Sequence, residues 1–136
     1  VWVMAGAGFL LGGCATSGVS FDMKSYSVAT GTPRETVATL KNNGKAVSGA
    51  SLSFQITKEP KYFGLFGAPP DYSGKAKVGT TNADGHATMQ VTCTYDESHA
   101  VGAVTVTSKN PAGIDTAELT CDPVIKEEPR SSSGPG

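Results

Sequence analysis

Residues 51–57 read Ser-Leu-Ser-Phe-Gln-Ile-Thr, an alternation of polar and apolar side chains. Successive side chains of a β-strand point to opposite faces of a sheet, so Leu52, Phe54 and Ile56 would line one face and the polar residues the other. This period indicates a strand that is buried on one side only. Further segments with strand character lie at 21–28, 35–41, 77–81, 86–95, 101–107 and 116–121.

Turn signals separate these segments. Asn43-Gly44 supplies the positive φ values that a tight hairpin turn requires. Residues 82–85 read Asn-Ala-Asp-Gly, in which Asn and Asp side chains bond back to the backbone and Gly takes a left-handed conformation. The chain also turns at 96–100 and 110–113, and no segment has the period of a helix of useful length. Short strands at this spacing predict an all-β, two-sheet sandwich of about 100 residues.

The beginning of the sequence is typical of an exported protein. Residues 1–13 contain no charged side chain and run directly into Cys14. This run is shorter than the roughly 20 apolar residues of a membrane span. Leu11-Gly12-Gly13-Cys14 resembles the bacterial lipobox, which implies cleavage before Cys14 and acylation of that cysteine. We therefore expect a signal peptide over 1–13, truncated at its N-terminus, and a lipidated tether over 14–21. The alternatives are an ordinary signal peptide and a buried apolar strand.

Charge and composition exclude some partners. The 136 residues contain 11 Lys and Arg against 12 Asp and Glu, a net charge of −1. Lys and Arg do not cluster along the sequence, whereas nucleic-acid binding needs several cationic contacts on one face. We expect no nucleic-acid partner.

Two cysteines remain if Cys14 is acylated. Cys93 and Cys121 form an even pair, which in an oxidising compartment favours a disulfide. Alternation places both side chains on the inward faces of their strands, near the strand ends. The alternative is a pair of buried, reduced thiols.

Three motifs are similar to those of a known family. They are GKAVSGASLSF at 44–54, TTNADGHATM at 80–89 and VGAVTVT at 101–107. Together they make the span 26–121 resemble the bacterial immunoglobulin-like domains of the invasin and intimin type. The motifs mark turns and inward strand positions, and they contain no reactive groups.

The resemblance implies an immunoglobulin-like Greek-key β-sandwich of about seven strands, which we assign to residues 22–123. It also implies that Cys93 and Cys121 lie on strands of opposite sheets, so that their disulfide joins the sheets. Residues 124–136 are charged and then rich in Ser, Gly and Pro, as in a disordered tail or linker.

No enzymatic chemistry is indicated. His86 and His99 both lie at turns, outside any triad or metal-ligand spacing, and we expect no catalytic residue, metal or cofactor. The hypothesis is a lipid-anchored, non-enzymatic module at the bacterial outer membrane, facing the periplasm or the surface. It would act in adhesion, structural spacing or protein–protein interaction, with the membrane and another envelope or surface protein as partners.

One insert has an unusual composition for a connector. Residues 59–75 interrupt the strand rhythm with Pro and Gly, yet they are rich in aromatic and aliphatic side chains. These side chains either cap one end of the sandwich or form a surface that binds a small ligand or carbohydrate. The candidates are Tyr62, Phe63, Leu65, Phe66 and Tyr72.

Overall fold

The computed structural model describes residues 17–67, 69–94 and 100–122. Within these ranges the regular structure consists of ten strands. None of the described residues forms a helix with the length and apolarity needed to cross a bilayer. The strands are β1 (Gly18–Phe21), β2 (Ser25–Ala29), β3 (Arg34–Asn42), β4 (Lys45–Ala46), β5 (Ser51–Lys58), β6 (Phe63–Leu65), β7 (Lys77–Thr80), β8 (His86–Cys93), β9 (Ala100–Lys109) and β10 (Ala112–Asp122).

The strands form two sheets. The front sheet has the order β2-β10-β9-β5-β7, and the back sheet has the order β1-β3-β8-β6, with the short β4 paired to β3. Neighbouring strands are antiparallel except for β2 and β10, which run parallel. The chain therefore changes sheets between β1 and β2, and this places its first two strands on opposite sides of the sandwich.

The core lies between the sheets and follows the alternation of the sequence. Leu52, Phe54 and Ile56 of β5 are buried, as predicted, and so are Val104 and Val106 of β9. Burial of each such side chain contributes about 1.5–3 kcal/mol relative to an exposed position. The inward residues of β3, β8 and β10 also belong to the core, namely Thr36, Ala38, Leu40, Ala87, Met89, Val91, Cys93, Ala117, Leu119 and Cys121. Strands β1, β2 and β6 and the start of β9 contribute Val19, Phe21, Tyr26, Val28, Phe63, Leu65 and Ala100.

Both predicted turns have the expected chemistry. Asn43 and Gly44 have φ values of 53° and 81° and connect β3 to β4. The Asn82 side-chain oxygen accepts a hydrogen bond from the Asp84 backbone amide at 2.9 Å, and Gly85 has a φ of 78°. A Cβ at Gly85 would lie 2.7 Å from the Leu40 carbonyl oxygen, so only glycine fits there.

The described chain begins and ends at opposite ends of the sandwich. Gly18 pairs with Lys41 next to the 43–44 turn, and the backbone of β1 lies against Gly113 at the start of β10. We call this the proximal end. β10 then runs for 11 residues to Asp122 at the distal end, a length of about 35 Å at roughly 3.3 Å per residue.

The strand boundaries differ from the sequence prediction in several places. The last strand, β10, begins at Ala112 rather than at 116. Residues 18–21, which were assigned to the tether, form β1, because Val19 and Phe21 alternate inward and are buried. The single strand expected over 21–28 is divided at 22–24, where the chain changes sheets. The insert contributes β6, which raises the strand number above seven. The predictions for residues 1–16 and 123–136 lie outside the described residues.

Candidate interaction surface

The aromatic insert forms a hairpin at the edge of the back sheet. β6 pairs with β8, with Phe63 opposite Cys93 and Leu65 opposite Val91. Leu65 and Asp71 then exchange backbone hydrogen bonds of 3.2 and 3.1 Å, which closes the loop between them. We call residues 63–67 and 69–72 the edge hairpin. A run that sequence alone marks as a connector is therefore part of the sheet.

Two of the five expected binding residues are core residues. Phe63 is 0% exposed and Leu65 is 1% exposed, so neither can contact a ligand. The Phe63 ring crosses to the front sheet and lies over Gly102 of β9. A Cβ at Gly102 would be 2.7 Å from Phe63 Cδ2 and 2.7 Å from the Lys58 carbonyl oxygen. The early glycine of the 101–107 motif therefore makes room for this ring.

The two tyrosines are partly buried and held in place. The Tyr72 ring covers Gly64 on the outer face of the back sheet, where a Cβ would lie 2.9 Å from Tyr72 Cε1. Its hydroxyl hydrogen-bonds with the Thr92 hydroxyl at 3.1 Å. Tyr62 packs against the core, and the Lys61 ammonium lies 5.1 Å from its ring centroid. Both rings stabilise the edge hairpin.

Phe66 is the exposed member of the five candidates. Its backbone amide donates to the Gln90 carbonyl at 2.8 Å, which fixes the backbone, while its side chain is 60% exposed. Of the two alternatives that the sequence leaves open for these five side chains, burial against the sandwich describes Phe63 and Leu65, and an exposed surface position describes Phe66. Aromatic residues are enriched in protein interfaces, and single exposed apolar side chains are also common on protein surfaces. Val78 and Ile114 are more exposed than Phe66 in this structure.

The carboxyl group of Asp71, at the end of the edge hairpin, has a lowered pKa. The Ser73 side chain and backbone amide hydrogen-bond to its carboxylate, the amide at 2.9 Å, and Lys77 Nζ lies 3.2 Å away. These contacts, with Ser73 the larger cause, lower the pKa of Asp71 from 3.8 to about 2. A carboxyl group that stays ionised near neutral pH is a poor general acid. Its role here is to connect the hairpin to β7.

The disulfide is formed as predicted. Cys93 of β8 and Cys121 of β10 are bonded, with their Cα atoms 6.0 Å apart and both residues buried. β8 belongs to the back sheet and β10 to the front sheet, so the bond joins the two sheets through the core. It lies at the distal end, next to the point where the described chain stops.

Three clefts are described on the surface of the sandwich. Three shallow clefts of about 250, 280 and 310 Å³ are lined mainly by Ser, Thr, Lys and apolar residues, without Asp, Glu, His or Cys. Within residues 17–67, 69–94 and 100–122, no three His, Cys, Asp or Glu side chains are grouped as metal ligands. His99 lies outside these ranges.

Neither a family model nor a curated protein matches the sequence. Solved structures do match the fold. The D0-D1 domain of intimin is 20% identical over 76% of this chain and 46% of its own, with a TM-score of 0.51. The fold is immunoglobulin-like. Domains 1–6 of the surface layer protein SbsC are 16% identical over 91% of this chain and 14% of their own, with a TM-score of 0.54.

The intimin-type resemblance of the sequence is therefore confirmed for the fold. Identities of 16–20% carry no residue roles. The chain spans less than half of the intimin structure and a small part of the SbsC structure.

Proposed function

We propose that this protein is a non-enzymatic, lipid-anchored immunoglobulin-like module of the bacterial envelope. It acts as a spacer, or it presents a contact surface at a distance from the membrane. The observation that carries the proposal is the placement of Ser17 and Asp122 at opposite ends of the sandwich. In a domain with this chain path, the attachment at Ser17 and the attachment at Asp122 are separated by the full length of the sandwich. The names of the similar structures, an intimin and a surface layer protein, support an envelope location.

The anchor would lie close to the proximal end. Cys14 precedes Ser17 by three residues, which span at most about 10 Å of extended chain. Acylation of Cys14 would therefore hold the proximal end near the bilayer, and the distal end would stand about 35 Å further out along β10. Two or more acyl chains anchor a protein stably, whereas one chain gives only reversible binding.

The contact surface for an envelope or surface protein includes the edge hairpin. Phe66 projects from it, while Phe63, Leu65 and Tyr72 keep the backbone rigid. Rigid presentation reduces the ordering cost of binding. This arrangement favours protein contact over catalysis, which would need convergent reactive groups.

Carbohydrate binding is the second candidate, because Phe66 offers an exposed ring for stacking. A glycan array with the wild-type chain and Phe66→Ala tests it. Loss of a specific glycan signal in the variant would favour sugar binding, and the absence of any signal in the wild-type chain would count against it.

The anchor is tested by detergent phase partition of the protein made in a bacterial host. Wild-type chain should enter the detergent phase, and Cys14→Ser should be released or remain unprocessed. Thr16→Ser is a matched control because it changes a neighbouring residue and leaves the cysteine in place. A Cys14→Ser protein that is processed normally and stays membrane-bound would refute lipidation.

A further inference from the structure

Three exposed lysines meet at the proximal end. Lys41 is at the end of β3, opposite Gly18. Lys45 begins β4, opposite Asn42. Lys109 ends β9, opposite Ala112. These lysines come from separate parts of the sequence, and the fold brings them to one end because two strand ends and a hairpin turn meet there.

The positive charge of this end is only partly compensated. Asp84, in the 82–85 turn, is an acidic side chain at the tip of this end. Further along the sandwich, the Asp22 carboxylate accepts a hydrogen bond from Thr39, and the Asp115 carboxylate accepts one from the Phe21 backbone amide. The ion pair found in the described part of the chain joins Lys77 and Asp71, away from this end. The chain as a whole carries a net charge of −1, so the excess of positive charge is local.

Two clefts at the same end combine a lysine with neutral polar groups. One, of about 250 Å³, is lined by Ser17, Ser20 and Lys41, among others. The second, of about 310 Å³, includes Ser108, Lys109 and Asn110. The Ser17 and Ser108 hydroxyls already donate to Asn42 Oδ1 and to the Pro111 carbonyl. The lysine ammonium is therefore the group in each cleft with the charge that attracts phosphate oxygens.

From these observations we propose that the proximal end binds anionic phospholipid headgroups. This inference rests on the proposed function, because Cys14 would hold this end against the bilayer. The lysines then face the headgroups and keep the sandwich upright on the membrane. Each lysine close to an anionic surface strengthens binding roughly fivefold, so three together contribute about a hundredfold.

The test is vesicle sedimentation with the full chain carrying Cys14→Ser, which prevents acylation. Vesicles of phosphatidylcholine alone are compared with vesicles that also contain phosphatidylglycerol. Residues 1–13 have no charged side chain, so their apolar contribution is the same for both vesicles. The ratio of the two partition coefficients therefore measures the electrostatic contribution.

Two triple variants with the same net charge locate the effect. Lys41→Gln/Lys45→Gln/Lys109→Gln removes the proximal lysines, and Lys24→Gln/Lys58→Gln/Lys75→Gln removes three exposed lysines elsewhere. The first should lower the anionic preference about a hundredfold, while the second should largely preserve it. Thermal unfolding of both variants should match the parent chain, since the changes are at exposed positions.

Three outcomes overturn the proposal. They are an absence of anionic preference in the parent chain, an equal loss in both triple variants, and full competition by soluble glycerol phosphate, which would indicate a small phosphate site. Because the assay uses an unacylated chain, its result is independent of whether Cys14 is acylated in cells. Failure of the lysine proposal and failure of the anchor are therefore distinguished.

Discussion

Gly102→Ala is the sharpest test of how the edge hairpin is built into the sandwich. The added methyl group would lie 2.7 Å from the Phe63 ring and 2.7 Å from the Lys58 carbonyl oxygen. The ring can shift slightly, but the carbonyl belongs to β5 and is held by the front sheet. The substitution therefore forces apart the layers that Phe63 joins.

The expected cost follows from two opposing effects. Overpacking a core costs about 1–3 kcal/mol, and the backbone contact favours the upper part of this range. Replacement of Gly by Ala reduces the entropy of the unfolded chain and returns about 0.4–1 kcal/mol. The net loss is about 2 kcal/mol, which lowers the melting temperature of a domain this size by roughly 10 °C.

The assay is thermal and urea unfolding of the oxidised protein. Gly79→Ala is the graded control, because its Cβ would lie 3.1 Å from Phe54 Cε1 and 3.4 Å from a carbonyl oxygen, a milder conflict. In a double-mutant cycle, Phe63→Leu should reduce the cost of Gly102→Ala, since it removes ring atoms from the contact. An unchanged or raised melting temperature for Gly102→Ala, or additive costs in the cycle, would refute this account of Phe63.

Three further predictions concern the disulfide, Asp71 and Phe66. Mass spectrometry of unreduced protein should find Cys93 and Cys121 linked, and two freely alkylated thiols would contradict this. Reduction of the bond should lower the free energy of unfolding by roughly 3–4 kcal/mol, the loop-entropy value for a separation of 28 residues. Titration by NMR should place the pKa of Asp71 at about 2. Any stabilisation of the fold by this carboxylate should be complete above pH 3.8 and lost as the pH falls towards 2. Ser73→Ala should raise the pKa of Asp71, and an unchanged titration midpoint in this variant would contradict the assigned cause. Phe66→Ser should change the free energy of unfolding by less than about 0.5 kcal/mol because the ring is exposed, and a large loss by urea denaturation would mean that Phe66 is packed.

Local signals predicted much of the fold. The alternation in β5 correctly assigned Leu52, Phe54 and Ile56 to the inward face, because a one-residue shift would expose an entire apolar face. Asn43-Gly44 and the 82–85 turn were correct because these residues favour the positive φ values and the local side-chain hydrogen bonds that the turns require. The cysteine pairing followed from inward alternation together with the family resemblance.

The structure differs from the sequence prediction where tertiary contacts determine whether a segment becomes a strand or a side chain becomes buried. Gly18 to Phe21 is only four residues long and contains Gly and Ser, so its sequence resembles a tether. It forms a strand because the edge of β3 is available for pairing. β6 is hidden in a run rich in Pro and Gly, and the burial of Phe63 depends on space at Gly102, more than 35 residues away in the sequence. The lysines of the proximal end are separated along the chain, so no pattern in the sequence joins them.

The opposite placement of Ser17 and Asp122 also determines how the domain would respond to tension. β2 and β10 run parallel, and they lie on the paths to Ser17 and Asp122 respectively. Tension between these two residues would therefore shear the two strands along their length. All of their backbone hydrogen bonds would then be loaded together rather than one at a time. Force applied at Asp122 reaches Cys121 at the next residue and passes through the disulfide into Cys93 on the other sheet. With the bond intact, both sheets share the load, and rupture requires shear across each of them. The oxidation state of one buried bond thus sets the mechanical path through the whole domain.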